Sequence, residues 1–314
     1  MESTSSMPDG FPSPVIIPPR GPNHTHTLIL LHGRGDNGLN FGPAFLCTPL
    51  PRRHGKLLPQ RFPTVKFVFP SAAQCRSISP WRSSISQWFD IYSLQDPETM
   101  DHVQYEGLRA SGEFLRSVVE EEAKVLEANL DLDPGSGKGR IVLGGLSQGC
   151  AMGLCVLLGG FTDESGHNET SPLAGFVGMA GWLPFCSQLE RFIISQEPSQ
   201  VQEQDDDTVE AATHSMALNA ANYVRDVIMN LPLISSTNRS APASLQTPIW
   251  LGHGVLDEKV RIDLGRRAAT AIRSLGWDLA LTEYGELAHW YIPSEVEDIA
   301  TFLRDQVGIP EARV

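Results

Sequence analysis

Residues 141–149 read Ile-Val-Leu-Gly-Gly-Leu-Ser-Gln-Gly, and this short stretch decides the fold. It opens with a continuous apolar run, which is typical of a strand buried on both faces of a sheet. Residues 151–158 beyond it have the composition of a helix. The turn between them carries the pattern G-x-S-x-G, in which a tight bend lifts a serine hydroxyl off the sheet. This context indicates that Ser147 is a nucleophile and not a serine in an ordinary glycine-rich turn.

Apolar runs of similar length alternate with amphipathic segments along most of the chain. This alternation predicts an α/β fold, with a mostly parallel sheet and helices on both faces. Asp101 is the predicted N-cap of the first long helix. The predicted strands are residues 27–31, 65–70, 140–145, 174–180, 247–251 and 279–284, and the predicted helices are residues 101–129, 151–158, 264–275 and 294–306.

Two segments differ from this regular pattern. Residues 1–23 are rich in proline, serine and glycine, which predicts a flexible N-terminal segment before a domain at residues 24–310. Residues 187–245 are far longer than a usual connection, and we interpret them as an insertion before the strand that leads to the candidate catalytic aspartate. Within it, the acidic residues 196–207 are predicted to be mobile and dispensable for catalysis. Residues 209–231 predict a packed helix that could lie over the site as a lid.

Composition excludes several classes of protein. The chain has 314 residues, of which 41% are hydrophobic, so it can bury a sizeable core. Its formal net charge of −13 argues against a nucleic-acid partner. Five cysteines without CxxC spacing argue against a disulfide framework or a zinc site, and reduced thiols fit a cytoplasmic protein. No export signal, membrane span, metal motif or cofactor motif is recognised, and the oligomeric state stays open.

The catalytic partners of a serine are a base and an acid, because the hydroxyl alone is a weak nucleophile. With this serine turn, the acid and then the histidine follow the serine along the chain. Asp257 and His289 each lie just beyond the end of a predicted strand, at the edge where active-site loops of open α/β sheets gather. His253 precedes the aspartate, and we interpret it as structural. The remaining candidates are His214, Asp263, Glu283 and Glu286, of which His214 lies in the insertion and Glu283 in the strand itself.

Two backbone N–H groups are candidates for an oxyanion hole. The N–H of Gln148 follows the serine at the start of a helix, where an anion is stabilised. The second donor is expected from the loop after an early strand, and Leu31-His32-Gly33-Arg34-Gly35 is that loop. The N–H of Arg34 is the best candidate within it.

Six segments resemble the phospholipase/carboxylesterase group of α/β-hydrolases, which includes acyl-protein thioesterases and small cytosolic carboxylesterases. The similarity covers about residues 26–186 and 246–306. It implies the α/β-hydrolase fold, the triad Ser147, Asp257 and His289, and an oxyanion hole formed by the N–H groups of Arg34 and Gln148. The segments are LLHGRGDNG, SQWFDIYSL, RIVLGGLSQGCAMGL, AGWLPF, LGHGVLDEKV and YGELAHW.

The leading hypothesis is a serine hydrolase that cleaves carboxylic esters or thioesters through an acyl-enzyme, with an acyl ester or acylated protein as substrate. A second hypothesis is a small-ester carboxylesterase, which Arg34 and the long polar loop at residues 75–87 favour. Trp182, Leu183 and Val260 are candidate contacts for a longer acyl chain, with core packing as the alternative interpretation. A third hypothesis, a non-catalytic binding module on a hydrolase scaffold, conflicts with the presence of a complete triad.

Overall fold

The computed structural model describes residues 10–53, 55–78, 84–161, 172–194, 206–234 and 241–312. Their main element is a seven-stranded sheet in the order β1-β3-β2-β6-β7-β8-β9. Every neighbouring pair is parallel except β1 with β3, which is antiparallel. The strands of this sheet are β1 (Val15–Ile17), β2 (His26–Leu31), β3 (Val65–Phe69), β6 (Ile141–Leu146), β7 (Gly175–Met179), β8 (Ile249–Gly254) and β9 (Leu279–Tyr284), and a separate hairpin pairs β4 (Gln74–Arg76) with β5 (Ser84–Ser86).

Helices cover both faces of the sheet, as the alternating pattern predicts. Successive strand residues face opposite sides, so Ile29 packs in one core cluster and its neighbours Leu28 and Leu30 pack in the other. Helices α3 to α7 contribute to the first cluster, which is the larger of the two, and α1, α2 and α8 contribute to the second. The helices are α1 (Gly38–Leu46), α2 (Leu58–Arg61), α3 (Tyr105–Leu130), α4 (Gln148–Gly159), α5 (Cys186–Ile194), α6 (Asp206–Tyr223), α7 (Ile262–Ser274) and α8 (Pro293–Asp305).

Two local predictions need correction. The flexible segment expected at residues 1–23 is wrong for Val15–Ile17, which form edge strand β1 against β3. Residues 1–9 lie outside the described part of the chain. Asp101 does not cap the long helix, because a 3₁₀ turn at Asp101–Gln104 precedes α3. Its carboxylate instead accepts a hydrogen bond from Nε2 of Gln188, at 2.7 Å.

The helix predicted at residues 209–231 is present as α6 followed by a π-helical turn at Val224–Ile228. Its apolar face belongs to the larger core cluster. In the turn, Nη1 of Arg225 donates to the carbonyl oxygen of Gly159 at 2.8 Å. Gly159 is the last residue of α4, at the opposite end of that helix from Ser147. Residues 209–231 are therefore part of the helical layer, and the prediction that they form a lid over the site is wrong. Most of the acidic stretch predicted to be mobile lies outside the described residues, which resume at 206.

The parallel strands place their carboxyl ends at one edge of the sheet, and the loops after β2, β6, β8 and β9 meet there. This edge positions the candidate site. None of the described helices is long and apolar enough to span a membrane.

Candidate active site

Ser147 lies on a strained turn between β6 and α4. Its backbone has φ 57° and ψ −119°, a conformation that non-glycine residues rarely adopt. Its N–H donates to the carbonyl oxygen of Met179 at 2.8 Å, which fixes the turn to the end of β7. A Cβ on Gly145 would lie 2.6 Å from the backbone of Gly149, and one on Gly149 would lie 2.6 Å from the carbonyl oxygen of His32. The turn therefore requires both glycines of the sequence pattern.

Asp257 and His289 form a hydrogen-bonded pair at the same edge. Oδ2 of Asp257 accepts from Nδ1 of His289 at 2.7 Å. Oδ1 accepts from the backbone N–H groups of Lys259 and Val260, each at 2.9 Å, so the turn after β8 holds the carboxylate in one orientation. The Asp257 side chain is fully buried, whereas His289 keeps 14% of its side-chain surface exposed.

Asp257 is ionised because its hydrogen bonds outweigh its burial. Burial by itself raises the pKa of Asp257, but hydrogen bonds from His253 and His289 lower the pKa to well below its ordinary value. An ionised carboxylate can only accept, so Nδ1 of His289 carries the proton toward Asp257. Nε2 of His289 is left unprotonated in the neutral ring, which is the form that a general base requires.

His253 has the structural position that the sequence indicates. Its Nε2 lies 2.8 Å from the carbonyl oxygen of Val260 and 3.4 Å from Oδ2 of Asp257. The imidazole is almost fully buried and packs against Gly265 on α7, where a Cβ would collide with Nδ1. His253 therefore holds the loop that carries Asp257.

The loop that carries His289 lies over the end of β8 and continues to helix α1. A Cβ on Gly254 would collide with the carbonyl oxygen of Leu287, so the loop begins directly over the end of β8. Two residues after His289, the ring of Tyr291 packs against Phe41 and Phe45 of α1, with ring centroids 6.2 and 5.3 Å apart. Helix α1 follows β2, which lies beyond β6 in the sheet. His289 therefore lies in a segment that runs from the end of β8 to α1, along the sheet edge at which β6 ends.

The loop after β2 is held rigidly beside the serine. The position of a Cβ on Gly33 lies 3.5 Å from Cβ of Ser147. Nε2 of His32 accepts from the N–H of Ala72 at 2.9 Å, and Nδ1 lies 2.7 Å from the carbonyl oxygen of Gly33. Burial lowers the pKa of His32, so the ring stays neutral and can make both hydrogen bonds. The loop thus aims its backbone at the space next to Ser147.

The two candidate oxyanion donors lie on this loop and at the start of α4. Among the described residues, neither the N–H of Arg34 nor that of Gln148 donates to a backbone carbonyl. The N–H of Gln148 belongs to the first turn of a 12-residue helix, where N–H groups have no partner within the helix. Both N–H groups are thus able to donate a hydrogen bond to an anionic oxygen.

Side chains in the site region make contacts that periodicity and motif did not reveal. Gln148 is fully buried, and its Oε1 accepts from the N–H of Trp88 at 3.0 Å. Its Nε2 donates to the carbonyl oxygen of Phe89 at 2.7 Å. The Arg34 guanidinium hydrogen-bonds to Gln87 and Ser77 on the β4–β5 hairpin. Residues far apart in sequence make these contacts, so no local pattern indicates them.

The three candidate substrate contacts are buried side chains. Trp182, Leu183 and Val260 have 1%, 4% and 0% of their surface exposed and belong to the larger core cluster. Core packing, the alternative interpretation, accounts for this burial. A role in holding an acyl chain stays a prediction.

Comparison with known proteins identifies a family. The profile of the phospholipase/carboxylesterase family matches residues 12–230 and 212–307. Acyl-protein thioesterase 1 of Gibberella zeae is 27% identical over 303 residues, which cover 96% of this chain and 98% of that protein. The same-named protein of Yarrowia lipolytica is 26% identical over 94% of this chain and 98% of its own length. The crystal structure of Zea mays acyl-protein thioesterase 2 superposes with a TM-score of 0.59 at 21% identity, covering 94% of this chain and 99% of that one.

Proposed function

We propose that this chain, which belongs to the phospholipase/carboxylesterase family, uses Ser147, His289 and Asp257 to hydrolyse acyl esters and thioesters. The family resemblance and the α/β-hydrolase fold expected from the sequence are confirmed. The chain is a hydrolase that acts on ester or thioester bonds. One observation supports the residue roles: a serine at positive φ shares its sheet edge with a buried aspartate hydrogen-bonded to a histidine.

The reaction proceeds through an acyl-enzyme. Nε2 of His289 takes the proton of Ser147 as Oγ attacks the acyl carbonyl carbon, and Asp257 stabilises the imidazolium that forms. The N–H groups of Arg34 and Gln148 hold the negative oxygen of the tetrahedral intermediate. His289 then returns the proton to the leaving alcohol or thiol. Water attacks the acyl-enzyme in the same manner and releases the acid and the free serine.

We assign acylated proteins as the first substrate class to test. The relatives from Gibberella zeae and Yarrowia lipolytica are both named acyl-protein thioesterase 1, and the matches extend over nearly the whole of each protein. Thioester and oxygen-ester cleavage need the same serine, base and oxyanion hole, so the site suits either bond. The five cysteines are free thiols, which supports our further proposal of a cytoplasmic location.

A short-chain carboxylesterase is the second candidate, and a cavity favours it. The cavity has a volume of about 610 Å³; its wall includes no triad residue but borders Trp88, whose backbone N–H donates to Oε1 of Gln148. Charged and apolar side chains are mixed in its wall, so it offers no continuous apolar surface to a long alkyl chain. The lining side chains include Arg76, Asp90, Glu106, Ile78, Phe89 and Val103.

A chain-length series separates these candidates and tests the proposal itself. Wild-type protein and Ser147→Ala are assayed with p-nitrophenyl esters of two to sixteen carbons and with a palmitoylated peptide thioester. We expect hydrolysis by the wild type and a loss of about 10⁴-fold in the variant. A maximum at long chains with thioester cleavage supports the thioesterase, and a maximum at two to four carbons supports the small esterase. Equal activity of Ser147→Ala and wild type would contradict both.

A further inference from the structure

The Arg34 side chain makes a second connection to the candidate oxyanion hole, separate from its backbone. Nε donates to Oε1 of Gln87 at 2.9 Å, and Nη2 donates to Oγ of Ser77 at 2.8 Å. Gln87 and Ser77 are 2% and 4% exposed, so water competes little for these hydrogen bonds. The guanidinium therefore ties the loop after β2 to the β4–β5 hairpin.

Asp90 orders the two acceptors that Arg34 binds. Its Oδ1 accepts from Nε2 of Gln87 at 3.3 Å and from Oγ of Ser77 at 3.4 Å. These bonds turn the amide oxygen of Gln87 and a lone pair of Ser77 toward the guanidinium. The N–H of Ile78 holds Oδ2 of the same carboxylate at 2.7 Å. The network thus has a cation at one end and an anion at the other, with neutral groups oriented between them.

Residues 86–88 contact both sides of the oxyanion hole. The carbonyl oxygen of Ser86 accepts from the N–H of Gly35 at 2.8 Å, next to the candidate donor of Arg34. Trp88 donates its N–H to Oε1 of Gln148 at 3.0 Å, and its Nε1 donates to the carbonyl oxygen of His32 at 2.8 Å. One short segment therefore lies between the two residues whose N–H groups form the hole.

We propose that the Arg34 side chain is a positioning residue, which sets the separation of the two oxyanion donors by anchoring its loop to residues 86–88. This inference rests on the proposed function. Its chemical reason is that a guanidinium donates from two nitrogens in a fixed plane, so it fixes direction as well as distance. An apolar side chain at this position would leave the backbone N–H in place without this anchor.

The test compares Arg34→Met with Arg266→Met. Methionine keeps an unbranched chain but removes every hydrogen bond. Arg266 is the matched control, because it also donates two hydrogen bonds, to Glu283 on β9, and these do not involve the loop after β2 or residues 86–88. With p-nitrophenyl acetate, we expect Arg34→Met to lower kcat about 10-fold or more with KM nearly unchanged, since loss of a whole donor costs about 10²–10³-fold. The control should keep wild-type kcat.

Two further measurements separate positioning from folding. Affinity for a trifluoromethyl ketone, whose adduct places an oxyanion in the hole, should fall in Arg34→Met by the same factor as kcat. Gln87→Met removes the acceptor of the same hydrogen bond. The double variant of Arg34→Met and Gln87→Met should have a kcat little lower than that of either single variant, because both changes break one connection. Arg34→Lys should recover part of kcat. Thermal midpoints of all variants show whether each is folded.

The outcomes distinguish this inference from the proposed function. If Arg34→Met and Gln87→Met both match Arg266→Met in kcat and in ketone affinity, the positioning role is wrong even though the enzyme is a serine hydrolase. If Ser147→Ala retains wild-type hydrolysis, the proposed function itself is wrong. A parallel loss of kcat and ketone affinity in both variants, with Ser147→Ala inactive, supports both.

Discussion

Replacing Glu295 by glutamine is expected to make the protein more stable at alkaline pH. Glu295 lies in the first turn of α8 and is fully buried against Gly252 of β8, where a Cβ would collide with Oε1. Neither carboxyl oxygen forms a hydrogen bond of normal geometry among the described residues. Burial raises its pKa to about 8, with the Ile292 backbone lowering it and Asp298 raising it further.

The Glu295 side chain binds its proton more tightly in the folded protein than in the unfolded chain. The ordinary pKa of the side chain is 4.5, so between pH 4.5 and 8 the folded protein keeps a proton that the unfolded chain has lost. Stability therefore falls as pH rises through this window, and the loss is complete above pH 8. At roughly 1.36 kcal/mol per pKa unit, the full loss is at most about 5 kcal/mol. Glutamine does not ionise, so the variant should avoid most of it.

Urea unfolding, followed by tryptophan fluorescence at pH 5, 7 and 9, measures this effect. We expect the free energy of unfolding of Glu295→Gln, taken relative to wild type, to increase by about 3–5 kcal/mol from pH 5 to pH 9. The matched control is Glu297→Gln on the same helix, where the carboxylate bonds to Nη1 of Arg61 at 2.7 Å and both side chains are 3% exposed. Breaking that buried pair should cost about 3 kcal/mol throughout. If Glu295→Gln keeps the wild-type pH dependence, the assignment of a buried, protonated Glu295 is wrong.

The loop after β8 allows three further predictions. Asp257→Asn should lower kcat by about 10⁴-fold while Ser147 and His289 stay in place, because an amide favours the wrong imidazole tautomer; steady-state kinetics and a structure of the variant check this. His253→Ala should act mainly on stability, by about 1–3 kcal/mol in urea unfolding, and an inactive but normally stable variant would contradict the structural role. Gly265→Ala should cost about 1–3 kcal/mol, because the added Cβ collides with the His253 ring, and an unchanged thermal midpoint would refute this packing.

Motif and chain order were enough to predict the strand, turn and helix around Ser147 and the positions of Asp257 and His289 just after strands. The turn at Ser147 lies between an apolar strand and a helix, and Asp257 and His289 follow strands whose carboxyl ends meet at one edge. This part is predictable because each signal is local and parallel strands bring local signals together. The strand β8 extends to Gly254, three residues beyond the predicted end, since Gly252 and His253 still pair with β9.

The elements that the sequence did not indicate have weak local signals. Strand β1 is three residues long between proline-rich stretches, and only its pairing with β3 identifies it. Helix α1 contains Pro43 and glycines, which argue against a helix, yet Gly42 lets it pack closely on Phe69. The bond from Arg34 to Gln87 joins residues 53 positions apart. Contacts at that separation depend on the folded arrangement and have no periodic pattern in the sequence.

The most direct measurement of the central claim is covalent labelling with a fluorophosphonate, which reacts only with an activated serine. Intact-mass analysis should show one phosphonate adduct per chain, and peptide mapping should locate it on Ser147. Ser147→Ala should stay unlabelled, and His289→Ala should label far more slowly at equal thermal stability. An adduct on another serine, or equal labelling of wild type and Ser147→Ala, would contradict the assignment of Ser147 as the nucleophile.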